Sequence, residues 1–192
     1  MEKLYKRLSL ALTTNKSIDN NEVELYEYAI KIVFRGIINV IAVIAIGLIF
    51  NMIKECLCFY SAFFVLRKFT GGFHAKNYAN CLTCSMLIVM FSLFAIKCFE
   101  LNDHKILFMC VVIFSAIIVC FLAPIENENK KLLRKEKKVY KYISVFLSVI
   151  FVLLCSVTIH KVSFIAYSMG IGLLLDNLLL ILLRVANKFK CS

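Results

Sequence analysis

The sequence predicts an all-α fold, a polytopic membrane helical bundle of about six spans behind an amphipathic N-terminal segment. Three observations lead there. First, 61% of the 192 residues are hydrophobic, with one Pro and no Trp, and the mean hydropathy is +0.85, whereas soluble domains are about 45–50% apolar. Second, apolar runs approaching the 17–25 residues needed to cross a bilayer recur with short polar breaks between them. Third, Lys and Arg outnumber Asp and Glu by 23 to 12, and these cations gather in alternate breaks. The chain reads as one integral membrane domain over 1–192: an amphipathic segment (1–33), a transmembrane bundle (34–183) and a cytoplasmic tail (184–192).

The first residues, M-E-K-L-Y-K-R-L-S-L, are charged and lack the apolar core of a cleavable signal peptide, so this segment is expected to be retained. Leu4, Leu8 and Leu12 recur every four residues with Lys3, Lys6 and Arg7 on the other face, the pattern of a basic helix lying on an anionic surface. Asn21, with Glu24 three residues on, can cap a second helix whose stripe is Val23, Tyr26, Ile30 and Val33. Neither piece is expected to span. The spans are assigned to 34–50, 52–66, 81–97, 106–123, 142–159 and 163–183. The second is short enough to thin the bilayer or to re-enter.

With both termini in the cytoplasm, nineteen of the 23 Lys and Arg fall on the inner side, and Lys54, Lys97, Lys105 and Lys161 lie outside. That bias sets the orientation, and an odd number of spans would spoil it. The loop from Pro124 to Lys141 is the most basic segment, with Lys130 and Lys131 at its centre. It serves as a topology signal that touches anionic head groups, or docks an acidic peptide. Nucleic acid is not an expected partner, because no fold with a readable surface remains outside the spans.

Five of the nine cysteines, Cys58, Cys98, Cys110, Cys120 and Cys155, lie in or beside apolar runs, where a thiol acts as a small hydrophobe. The stretch R-K-F-T-G-G-F-H-A-K-N-Y-A-N-C-L-T-C-S, from Arg67 to Ser85, differs from the rest. Asn80 can cap the helix that Cys81 opens, which puts the sulfur near a positive dipole end, with Arg67, Lys68 and Lys76 nearby. Such a setting favours the nucleophilic thiolate. His74 is the nearest base. A continuous helix would hold the two about 10 Å apart along its axis, so the chain has to fold back between them, and K-N-Y-A-N is a place for it. Gly71 and Gly72 allow backbone angles that other residues forbid. Two other readings use the same residues. Cys81 and Cys84 form a CxxC, although without a thioredoxin-like context. His74, Cys81 and Cys84 could ligate zinc, although a fourth ligand is not evident.

At these residues the chain resembles the AgrB family, the membrane cysteine endopeptidases of Gram-positive peptide quorum sensing. The shared pattern is Arg67, Gly71-Gly72, His74 and Cys81, a G-G-x-H-x6-C element, set in a chain of similar size and topology with a basic loop introduced by Pro124. The resemblance implies that Cys81 is the nucleophile and His74 its base, cutting the C-terminal tail from a small AgrD-like propeptide through a thioester. A nucleophile within the peptide then closes a thiolactone or lactone signal. Arg67, Lys68, Gly71, Gly72, Asp176, Lys130 and Lys131 are the candidates for binding substrate or supporting the dyad. The chain departs from the family at Lys131, where Pro commonly follows Asn-Lys soon after.

Asp176 is an acid well inside the last span, a costly placement that marks either function or a structural pairing, with Gly170 and Gly172 allowing close helix packing. On the assigned topology it lies on the motif's side, where it can orient His74, pair with Arg67 or Lys68, or bind substrate. His104 and His160 fall in outer turns and read as solvated, and Arg35 can snorkel to the interface. No metal or cofactor is expected. The expected partners are the propeptide and the lipid bilayer of a bacterial cell, with a homodimer left open. A transporter or export component for a small peptide, lacking a nucleophile, is the alternative from another class.

Overall fold

A computed structural model describes residues 20–71, 78–102, 104–125 and 133–190, all helix or short connection. Six helices are present among them: α1 (Asn20–Ile49), α2 (Ile53–Thr70), α3 (Tyr78–Asn102), α4 (Lys105–Leu122), α5 (Arg134–Thr158) and α6 (Ser163–Lys190). Five contain stretches long and apolar enough to cross a membrane: Tyr28–Ile49, Cys81–Asn102, Lys105–Leu122, Lys135–Thr158 and Ser163–Val185. The polytopic helical bundle expected from the sequence is therefore the observed architecture.

Several boundaries differ from expectation. The second amphipathic piece is not separate from the first span: one helix runs unbroken from Asn20 to Ile49, because no Gly or Pro breaks the run before Gly36. The first turns of α5 take up Arg134 to Lys141, the second half of the expected basic loop, where Leu133 N–H donates to Glu136 Oε2 (3.1 Å) and closes the helix start. The last helix continues to Lys190, so most of the expected tail is helical. The expected span 52–66 is the helix α2, but it is absent from the five. It carries Lys54 and Glu55 at one end and Arg67 and Lys68 at the other, more charge than an apolar crossing segment normally holds.

The chain divides into two units, 1–42 and 43–192, with α1 running through the boundary. In the first, Tyr28, Ile32, Val33, Ile37 and Ile41 are exposed along α1, as a lipid-facing surface requires. In the second, α6 packs against α2, α3, α4 and α5, most extensively against α2. Its Ser163–Val185 stretch is 56% buried, against 22% or less for the other candidate spans, so α6 is the axis of this unit. The buried stripe of α2, Cys56, Phe59, Ala62, Leu66 and Thr70, has the three-to-four spacing of one helix face.

Lipid-like surroundings offer backbone and hydroxyl groups no water, so the chain supplies the partners itself. Ser92, Ser144 and Ser148 donate to the carbonyls of Ile88, Tyr140 and Ser144 one turn earlier. The turn between α1 and α2 passes through Asn51 at φ 55°, and Met52 N–H returns to Gly47 O at 2.8 Å. Asn suits this left-handed position better than other residues with a side chain.

Two glycines are required by geometry. At Gly170, on α6, an added Cβ would lie 2.5 Å from the Phe108 ring and 2.8 Å from Val112 of α4. The gap admits Phe108 edge-on against Tyr167, with ring centroids 4.8 Å apart, and against Phe99 at 5.1 Å. Gly71 ends α2 at φ 97°, ψ 161°, a region that essentially only Gly occupies. There an added Cβ would run into the carbonyl oxygen of Ile125.

Two outcomes follow for purified protein in detergent. Gly170→Ala should lower thermal stability by about 1–3 kcal/mol of overpacking, more than the roughly 1 kcal/mol of helix propensity that Ala contributes. Gly172→Ala, whose Cβ would meet only ordinary contacts from 3.4 Å outward, should be neutral or stabilising, and equal melting points for the two would refute this packing. Gly71→Ala should cost on the order of 1–3 kcal/mol, read as a lower thermal midpoint.

Candidate functional site

Four of the candidate residues, Arg67, Lys68, Gly71 and Cys81, fall at the end of α2 and the start of α3. Thr70 is the last residue of α2 and is fully buried. Its carbonyl accepts from Ile125 N–H at 3.0 Å, so the segment Ala123–Ile125, which leaves α4, crosses the end of α2 and is held there. From the third side, Phe69 meets the ring of Tyr140 on α5 edge-on at 5.9 Å.

Below the junction lies Asp176 of α6, 0% exposed. Its Oδ1 is 3.1 Å from the Thr70 hydroxyl, which is also 3.1 Å from Leu66 O. Its Oδ2 is buried with no hydrogen-bond partner among the described residues. Next along α6, Asn177 donates from Nδ2 to Ser115 O of α4 at 2.8 Å. These two polar residues in an apolar helix thus tie α6 to α2 and to α4. Asp176 is thus placed against Thr70, the residue before Gly71.

Arg67 lies one turn before Gly71, half-buried, with its guanidinium carbon 5.4 Å from the Phe63 ring centre. Its charge is within electrostatic reach of both the Asp176 carboxylate and the Cys81 thiol. Lys68, by contrast, is exposed and lies 6.0 Å from the Phe69 ring centre, so of the two cations Arg67 is the one that faces the junction.

Cys81 is half-buried, whereas Cys84 is exposed, and both are free thiols. The expected cap does not hold: α3 begins at Tyr78, so Asn80 is inside the helix and Cys81 is its fourth residue. The sulfur still belongs to the first turn, where the helix dipole favours negative charge. Tyr78–Asn80, the second half of the expected fold-back, is helical. His74, Gly72, Lys130 and Lys131 lie outside the described residues.

Of the residues singled out by sequence, Arg67 lies within electrostatic reach of Asp176 and Cys81, and Asp176 bonds to Thr70, the neighbour of Gly71. The structure adds Thr70 and the Ile125 peptide, which sequence reasoning missed. Thr70 had one signal: it is a hydroxyl directly before the Gly-Gly pair, and a lone acid buried in a distant span needs a donor. Nothing in the sequence pairs position 70 with 176.

A family model described as accessory gene regulator B matches residues 4–183. An AgrB-like protein of Clostridium perfringens strain SM101 is 29% identical over 194 residues, covering 97% of this chain and 88% of the relative. One from Clostridium beijerinckii is 31% identical over 146 residues, covering 73% of this chain and 70% of the relative. Another, from Clostridium perfringens strain 13, is 26% identical over 191 residues, covering 99% and 98%. No solved structure matches the chain. A match across nearly the whole length, together with Arg67, Gly71-Gly72, His74 and Cys81 in that spacing inside a polytopic helical bundle, leads to one conclusion: this chain belongs to the AgrB family.

Proposed function

We propose that the chain is a membrane-embedded cysteine endopeptidase that removes the C-terminal tail of an AgrD-like propeptide and passes the remainder to cyclisation. The observation that carries this reading is Cys81: a half-buried thiol in the first turn of α3, within reach of the Arg67 charge, seven residues after His74 in the family's G-G-x-H-x6-C element.

In this reading His74 takes the Cys81 proton, and the thiolate attacks the scissile carbonyl. The C–N bond breaks as the imidazolium returns its proton to the leaving amine, which departs with the tail. The propeptide is left as a thioester on Cys81. A thiol within the peptide then attacks that carbonyl, Cys81 leaves, and a thiolactone forms. A hydroxyl in the same role gives a lactone. Ring closure competes with water because the tethered nucleophile acts at high effective concentration and the apolar surroundings limit water at the thioester.

We also propose that the catalytic residues and both termini face the cytoplasm of a bacterial cell. The 18 residues of α2 rise about 27 Å, close to the hydrocarbon thickness of about 30 Å. Lys54 and Glu55 at one end and Arg67 and Lys68 at the other can snorkel to opposite interfaces. A crossing α2 makes six spans, the even number that the distribution of Lys and Arg requires.

Co-expression with a tagged AgrD-like propeptide tests the chemistry. Cys81→Ser and His74→Ala should each reduce tail release by about 10³-fold or more, while Cys84→Ser, at an exposed thiol, retains it; release unchanged in all three would favour a transport role. For topology, an alkaline phosphatase fused after Lys190 should be inactive and one fused at Lys161 active, and the opposite pair of results would sink the orientation.

A further inference from the structure

Asp176 is separated by more than a hundred positions from Thr70, yet the two buried side chains meet at 3.1 Å. The bond joins α6, the axis of the unit, to the last residue of α2. On its other side the same Thr70 is fastened by its carbonyl to Ile125 N–H at 3.0 Å. The next residue, Gly71, leaves at φ 97° directly against the Ile125 carbonyl. The end of α2 at Thr70 is therefore fixed from two sides, by the Asp176 carboxylate and by the Ile125 peptide. Arg67, three residues earlier on the same turn, carries a charge that acts on both Asp176 and Cys81.

We infer that Asp176 is a positioning residue for the Cys81 reaction: through its hydrogen bond to Thr70 it holds the last turn of α2, which carries Arg67 and ends at Gly71, in place against α6. This rests on the reading of Cys81 as a nucleophile given above. Asp176 is assigned no contact with substrate. Its effect comes from a buried bond between two helices, and the cost of losing it appears where geometry matters most, in the alignment of base and nucleophile.

The bond, not the negative charge, is what the assignment requires. An amide at 176 preserves it, because its oxygen can accept from the Thr70 hydroxyl, or its N–H₂ can donate to the Thr70 oxygen while the hydroxyl proton stays on Leu66 O. A leucine removes it. From the other end, Thr70→Ser retains the hydroxyl, whereas Thr70→Val removes it with almost no change in shape.

The test is tail release by purified, detergent-solubilised protein acting on a synthetic AgrD-like propeptide, with kcat and KM measured separately, alongside the thermal midpoint of each variant. Asp176→Leu and Thr70→Val should each lower kcat about 10- to 100-fold with KM nearly constant, and the double variant should be no worse than either single one. Asp176→Asn and Thr70→Ser should stay within about threefold of the parent kcat. Thr70→Val carries the test alone should Asp176→Leu fail to insert. Parent-level kcat in Thr70→Val, or additive losses in the double variant, would overturn the assignment. So would an Asp176→Asn variant as slow as Asp176→Leu, because the charge would then be what acts. A loss that follows the melting point of each variant and moves KM as much as kcat would reduce Asp176 to a stabilising contact. Retained release by Cys81→Ser would instead defeat the peptidase reading itself, an outcome separate from all of these.

Discussion

The buried hydrogen bond between Thr70 and Asp176 decides how the end of α2, α6 and the Ala123–Ile125 segment are put together. Polar groups inside a span have no water to turn to, so each must find a partner in the protein or remain costly. Asp176 is fully buried in the most enclosed helix, and its accessible partner is the hydroxyl that ends α2. Satisfying that one acid therefore brings the end of α2 onto α6. The Ile125 peptide completes the junction by closing on the Thr70 carbonyl, and Gly71 is the residue whose missing side chain leaves room for it.

The rest of the bundle follows the same logic at lower stakes. Asn177 and Ser115 repeat the arrangement between α6 and α4. Gly170 lets Phe108 approach closely enough for an edge-on contact with Tyr167. Among transmembrane helices, whose lipid surroundings are as apolar as the side chains, such small-residue contacts and interhelical hydrogen bonds do the joining that hydrophobic burial does in water. The helices thus meet at specific points, and their ends inherit their positions from those points.

Charge is arranged to suit that end. Arg67 places a half-buried cation near both Asp176 and Cys81, and the start of α5 presents Lys135, Lys137, Lys138 and Lys141 on an exposed helical surface. A helix holds those cations at fixed spacing, whereas a loop would not, so this basic surface is more ordered than the sequence suggested. It also includes Tyr140, whose ring meets Phe69 of α2 edge-on, so the basic helix and the end of α2 share a boundary.

Composition and periodicity were enough to settle the class of fold. Long apolar runs can satisfy their backbone in lipid only as helices, so the bundle, the placement of most spans and the isolation of the Gly-Gly-His-Cys stretch were all legible residue by residue. Boundaries were less so: the helix start at Tyr78 displaced Asn80 from its cap, and Arg134–Lys141 became helix instead of loop, because termini depend on packing that a local pattern does not contain. Family membership could be read from one short element, since spacing in a motif is a property of the chain itself. What only the tertiary structure decided is which distant groups answer one another. That Asp176 needed a donor was evident from its place in an apolar run. That the donor is Thr70, at the edge of the functional segment, depends on how α2 and α6 lie side by side, and no sequence separation encodes that distance.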